Sequence, residues 1–159
     1  MWSCTVIYNR RMHSFQNPPD EEIRELLLRV RTIAVVGLSP RPNRPSHRVA
    51  LHMQRFGYRI IPVRPAVDSV LGEKAYASLG EVPEPIDLVD VFRAPEYVDK
   101  IVEECLTFKL PAIWLQLDVV NVPAAERARA AGMTVVMNRC LYQEWPPDPE
   151  AQLFRRRRP

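Results

Sequence analysis

Between residues 20 and 137 two hydrophobic patterns alternate along the chain. Ile23, Leu26, Leu27 and Val30 keep helical spacing after Pro18-Pro19, with Asp20 placed to cap the helix. Thr32-Ile-Ala-Val-Val-Gly37 is a short β-branched run ending in glycine, the signature of a buried parallel strand. After a proline-rich loop, Ser46 is placed to cap a helix carrying Val49, Ala50, Met53 and Phe56 on one face, and Gly57 to end it. Tyr58 to Val63 reads as a second strand. Residues 64–85 are irregular, with short helices expected near 69–71 and 78–82.

Ile86 to Phe92 reads as strand three. A helix from Pro95 to about Phe108 follows, with Val98, Ile101, Val102 and Cys105 apolar. Ala112 to Leu117 is strand four. Pro123 opens an alanine-rich helix that stops at Gly132, and Met133 to Met137 is strand five. Strands joined by helical crossovers predict an α/β fold of three layers, a five-stranded parallel sheet with helices on both faces, in a single domain. Such sheets bind ligands outside the carboxyl ends of the strands, where strand order reverses. Placing strands one to three in one half puts that point between strands one and four. The loops to inspect are then 37–46, 63–66, 92–95 and 116–122.

The flanks differ from this middle. Residues 1–19 show no clear period and read as an N-terminal extension, with Met12 an alternative start. They lack the positive segment and long apolar run of an export signal, so a cytoplasmic location is expected. Residues 146–159 hold four prolines and four arginines and read as a tail, leaving 20–145 as the domain. No apolar run is long enough to span a membrane. Three cysteines, Cys4, Cys105 and Cys140, are too few and too scattered for a disulfide framework.

Charge sharpens the picture only when it is divided along the chain. The total is +3 over 159 residues. From Leu26 to Val67 eight arginines occur with no acidic residue, whereas from Asp68 to Lys109 ten acids face four bases. Without Arg155 to Arg158 the chain would be acidic, so its overall basicity does not indicate nucleic acid. The acid-free stretch does indicate a localised anion site.

The loop Gly37-Leu-Ser-Pro-Arg-Pro-Asn-Arg-Pro-Ser46 has the outline of a phosphate cradle at a helix start. Ser39 and Ser46 supply hydroxyls, and Arg41, Arg44 and Arg48 supply charge. Only one glycine of the three-glycine dinucleotide fingerprint is present. At the end of strand two, where NAD enzymes carry an acid for the ribose, stands Arg64. It disfavours NAD and favours a phosphorylated ribose, as in NADP or coenzyme A. Phe92 either lies against a base or belongs to the core, and Arg93 pairs with a phosphate or with Asp90. Gln116 offers an amide at the end of strand four, and Cys140 beside Arg139 is a candidate activated thiol. The three histidines and three cysteines form no metal pattern, and no catalytic constellation emerges. A binding module is favoured over an enzyme.

Further motifs follow in order: Gly57-Tyr58 with Ile61-Pro62-Val63, Leu71-Gly72 with Tyr76 and Ser78-Leu79, Asp87 with Val89-Asp90-Val91-Phe92-Arg93, Trp114-Leu115-Gln116, and Val136-Met137 with Arg139-Cys140. With the first loop, this set resembles the small stand-alone CoA-binding proteins of bacteria and archaea. These are Rossmann-like domains similar to the N-terminal domain of the succinyl-CoA synthetase α subunit. The resemblance implies coenzyme A or an acyl-CoA as ligand, bound by a carrier, sensor or regulator without catalysis of its own. An NADP-dependent oxidoreductase, or a subunit of one, is the alternative. It also implies that Gly37, Leu38, Ser39, Arg44, Ser46, Val63, Arg64, Phe92, Arg93 and Gln116 bind the cofactor. A protein partner or a second copy of the chain stays open. The sequence departs from the family pattern at Arg64 (usually asparagine), Asp118 (glycine), Asn138 (aspartate) and Trp145 (histidine), and Asp118 brings a carboxylate toward an expected phosphate site.

Overall fold

The computed structural model describes residues 15–145; most of the expected extension and the whole expected tail lie outside them. Helix α1 (Asp20–Arg29) buries Ile23, Leu26 and Leu27, the face set by their spacing. Pro19 is its cap residue and Asp20 its first helical residue, so the carboxylate does not cap; it meets Arg139 at 3.0 Å instead. Strand β1 (Thr32–Val36) leads through the 37–44 loop into α2 (Pro45–Arg55). Strand β2 (Arg59–Val63) follows, after Gly57 closes the helix at φ +99°.

The return from β2 crosses a two-stranded antiparallel hairpin, β3 (Ser69–Val70) and β4 (Glu73–Lys74), where the sequence predicts a short helix. Its two turn residues, Leu71 at φ +54° and Gly72 at φ +76°, are both left-handed. Two positive φ values suit a tight hairpin turn and exclude a right-handed helix. Tyr76 then bridges β2 in parallel. Its N–H donates to the Pro62 carbonyl at 3.0 Å, and its own carbonyl accepts from Arg64 N at 2.8 Å. A 3-10 turn, Leu79–Glu81, precedes β5 (Leu88–Val91). Next come a second 3-10 turn (Pro95–Tyr97), α3 (Val98–Thr107), β6 (Ala112–Leu115), α4 (Val122–Ala130) and β7 (Thr134–Met137). One turn of helix that the sequence does not predict, α5 (Leu141–Glu144), closes the described chain.

The five long strands form one parallel sheet in the order β2-β1-β5-β6-β7. The third predicted strand, β5, therefore lies directly beside β1, with Val35 opposite Asp90. Strand order reverses between β1 and β5, which corrects the expectation that it reverses between the first and fourth strands. Alternate residues of each strand face opposite layers. Ile33, Val35, Leu88, Trp114 and Val136 pack with α1, α2 and Leu141. Ala34, Val89, Val91, Ile113, Leu115 and Val135 pack with α3 and α4. Residues 15–19 are tied to the outer edge strand: Asn17 Nδ2 donates to the Met137 carbonyl at 2.9 Å, and Met137 N donates back to Asn17 Oδ1 at 2.7 Å. No helix among the described residues is long and apolar enough to cross a membrane.

Candidate anion site at the strand-order reversal

Gly37 ends β1 at φ +84° and donates its N–H to the Val63 carbonyl at 2.9 Å. A Cβ at this position would stand 2.6 Å from the Phe92 carbonyl oxygen and 2.9 Å from Arg93 Cδ. Only glycine lets the first loop pass so close to the end of β5. The chain then turns back onto α2 through internal hydrogen bonds. Ser39 N donates to Ser46 Oγ at 3.0 Å, Arg41 N donates to Ser39 Oγ at 3.2 Å, and His47 Nδ1 lies 3.0 Å from the Ser39 carbonyl. Ser46 thus does not cap α2. The helix begins at Pro45 with Arg44 in the cap position, and the buried Ser46 hydroxyl holds the loop. Both serine hydroxyls accept from backbone in these contacts, which leaves each O–H as a donor.

A cavity of about 840 Å³ opens at this point. Eight of the ten expected residues line it: Gly37, Ser39, Arg44, Ser46, Arg64, Phe92, Arg93 and Gln116. The other two side chains do not. Leu38 is fully buried in the core against α2 and Val63 in the opposite layer, because strand alternation and the tight loop turn them inward. Val63 instead lines a neighbouring cavity of about 200 Å³, with Arg64, Arg93 and Lys100. Val49, Val67, Leu117 and Val119 also line the larger cavity. Sequence reasoning named none of them as site residues: Val49 reads as an ordinary core position, Val67 sits in a segment without periodicity, and Leu117 and Val119 belong to the 116–122 segment singled out only as a loop.

Four arginines, Arg41, Arg44, Arg64 and Arg93, border the cavity. Among the described residues none of them has a carboxylate partner; the ion pairs there engage Arg59, Arg127, Arg129 and Arg139. Arg93 lies over the Tyr97 ring, 4.1 Å from its centroid, and does not pair with Asp90. Unpaired cations facing a concave space make a strong field for an anion. Asp118 is the single acid among the described residues of the lining. It adopts φ +67°, and its N–H donates to Asn138 Oδ1 at 2.8 Å, Asn138 being left-handed as well at φ +59°. Aspartate and asparagine tolerate this conformation better than other non-glycine residues.

The floor is built from β5 and β6. Asp90 is 1% exposed, and its Oδ1 accepts from Gln116 Nε2 at 2.7 Å. Gln116 Oε1 in turn accepts from Leu141 N at 3.4 Å, which ties the end of β6 to α5. Burial pushes the Asp90 carboxyl up to about 7, against the lowering effect of the Gln116 hydrogen bond. Trp114 is fully buried and donates from Nε1 to the Arg139 carbonyl at 2.8 Å, which fixes the segment that brings Cys140 to the cavity. Cys105 is buried in the core, where desolvation pushes its thiol up to about 12 and leaves it inert. Trp145 stacks on Phe56 with centroids 3.9 Å apart, an apolar contact made by α5 against the end of α2.

A family model described as a CoA binding domain matches residues 31–146. The chain is 48% identical over 126 residues to the uncharacterized protein YneT of Bacillus subtilis, covering 79% of this chain and 93% of that one. It is 30% identical over 81 residues to an ADP-forming acetate–CoA ligase of Archaeoglobus fulgidus, a match that spans 51% of this chain but only 12% of the ligase. Among solved structures, a hypothetical protein from Pyrococcus horikoshii superposes with a TM-score of 0.78 at 35% identity, covering 84% of this chain and 96% of that one. A protein from Thermus thermophilus gives 0.76 at 36% identity, covering 80% and 96%.

Proposed function

The chain belongs to the CoA-binding domain family, and from that premise we propose that its cavity binds coenzyme A or an acyl-CoA. The observation that carries this reading is the set of four arginines at the cavity that have no carboxylate partner among the described residues. The chemistry of the donor set fits the ligand. The pyrophosphate would lie against the first loop, where Ser39, Ser46 and Arg44 offer donors. Arg64 would meet the phosphate on the ribose, and Phe92 the base. Bound there, CoA supplies a thiol or thioester; the chain's own residues bind and orient it.

In this reading the protein is a cytoplasmic carrier, sensor or regulator. The site offers anion-binding groups, which supports a binding role. Calorimetric titration with CoA, dephospho-CoA and NADPH tests the reading. CoA should bind best, and dephospho-CoA should bind more weakly by the loss of its ribose phosphate. No heat with CoA at millimolar concentration overturns the reading, and preference for NADPH replaces it with a nicotinamide-dependent function.

A further inference from the structure

We propose that Asp90 is a positioning residue for the anion cavity, setting through its protonation state both the hold on Gln116 and the charge beneath the ligand. The inference deepens the ligand reading above and rests on it. Asp90 stands on β5 between Val35 of β1 and Trp114 of β6, and neither neighbouring strand carries an ionisable side chain. Its Oδ1 is engaged by Gln116, while its Oδ2 is buried with no hydrogen-bond partner among the described residues. Gln116 lines the cavity, so Asp90 acts on a bound molecule one side chain removed.

Among the described residues no ionisable group on the covering elements hydrogen-bonds to or pairs with Asp90. The charged side chains of α1 are exposed. On α2, Arg48 and Arg55 are exposed, His47 contacts the Ser39 carbonyl and His52 stacks on Tyr142. Near α5, Glu144 pairs with Arg139, and Cys140 lines the cavity, as Arg41 and Arg44 do from the first loop. None of them hydrogen-bonds to Asp90.

A buried carboxylate whose Oδ2 has no hydrogen-bond partner is poorly compensated, whereas the neutral acid keeps its acceptor for Gln116 and gains a donor at Oδ2. Ionisation also sets a negative charge under a space lined by arginines, and that charge repels an anionic ligand. Affinity for such a ligand therefore falls as Asp90 loses its proton.

The test titrates CoA, and in parallel inorganic pyrophosphate, into the wild type and Asp90→Asn at pH 6 and pH 8.5. The amide retains an acceptor for Gln116 and does not titrate, and the ligand's own ionisation cancels between the two proteins. Wild type and variant should bind alike at pH 6, and at pH 8.5 the wild type should bind about fivefold more weakly. A ratio that stays the same at both pH values overturns the proposal. Binding of pyrophosphate with the expected ratio, but none of CoA, keeps the role of Asp90 and removes the CoA reading; no binding of either overturns both. On the wild type alone, saturating pyrophosphate should raise the Asp90 midpoint followed by carbon NMR, because linkage is reciprocal. An unmoved or lowered midpoint contradicts the proposal without any variant.

Discussion

Asp90 makes the stability of the fold depend on pH in a direction opposite to that of most carboxylates. Its ordinary value is 3.8, and burial raises it to about 7 in the folded chain. Between those values the folded state holds a proton that the unfolded chain has released. The stability that accompanies it is complete below pH 4 and is lost as the pH rises through 7. Three pKa units at about 1.4 kcal/mol each correspond to about 4 kcal/mol, a large part of the stability of a domain this size. Urea unfolding at half-unit steps from pH 4 to pH 8.5, on the wild type and Asp90→Asn, isolates this effect because other groups titrate equally in both. The variant should gain on the wild type by about 4 kcal/mol across the range, with most of the change complete by pH 7.5. A gap between the two proteins that does not change with pH refutes the account of a buried acid between β1 and β6.

Gly37→Ala should lower stability by about 2–4 kcal/mol, from a left-handed backbone plus overpacking on the Phe92 carbonyl, and should abolish CoA binding; urea melts and calorimetry read both. Asp118→Asn keeps a residue that tolerates positive φ and removes the one acid among the described lining residues, so CoA affinity should rise by about fivefold, with unchanged affinity counting against a phosphate nearby. Arg64→Glu should weaken CoA more than dephospho-CoA, and equal losses on the two ligands remove its role at the ribose phosphate. Trp145→Ala should cost about 1 kcal/mol beyond its buried area through the stack on Phe56, measured by chemical unfolding.

The sheet was legible because its strands are short β-branched runs and its helices keep a clean apolar spacing, and both signals are local. Strand order is not local. The position of β5 beside β1 depends on which way the chain returns from β2, and nothing between residues 64 and 87 encodes that by period. The β3–β4 hairpin escaped for a related reason: its turn is Leu71-Gly72, and leucine is not a residue that announces a left-handed turn. At the site, charge and the helix-start pattern pointed to loops that border one cavity, where the arginines and Gln116 meet. Leu38 and Val63 were misplaced because adjacency to a loop does not say which way a side chain turns. Asp90 was read as a partner for Arg93 and as part of a shared motif, not as a buried acid. Its burial follows from its place on the central strand, which becomes visible once the neighbours of β5 are known.

The central claim is that the arginine-lined cavity between β1 and β5 holds the phosphates of coenzyme A. A crystal structure of the complex with CoA tests it most directly. The account predicts pyrophosphate density against the Gly37–Ser46 loop and the ribose phosphate at Arg64; CoA bound on another face, with the cavity holding only solvent, contradicts it.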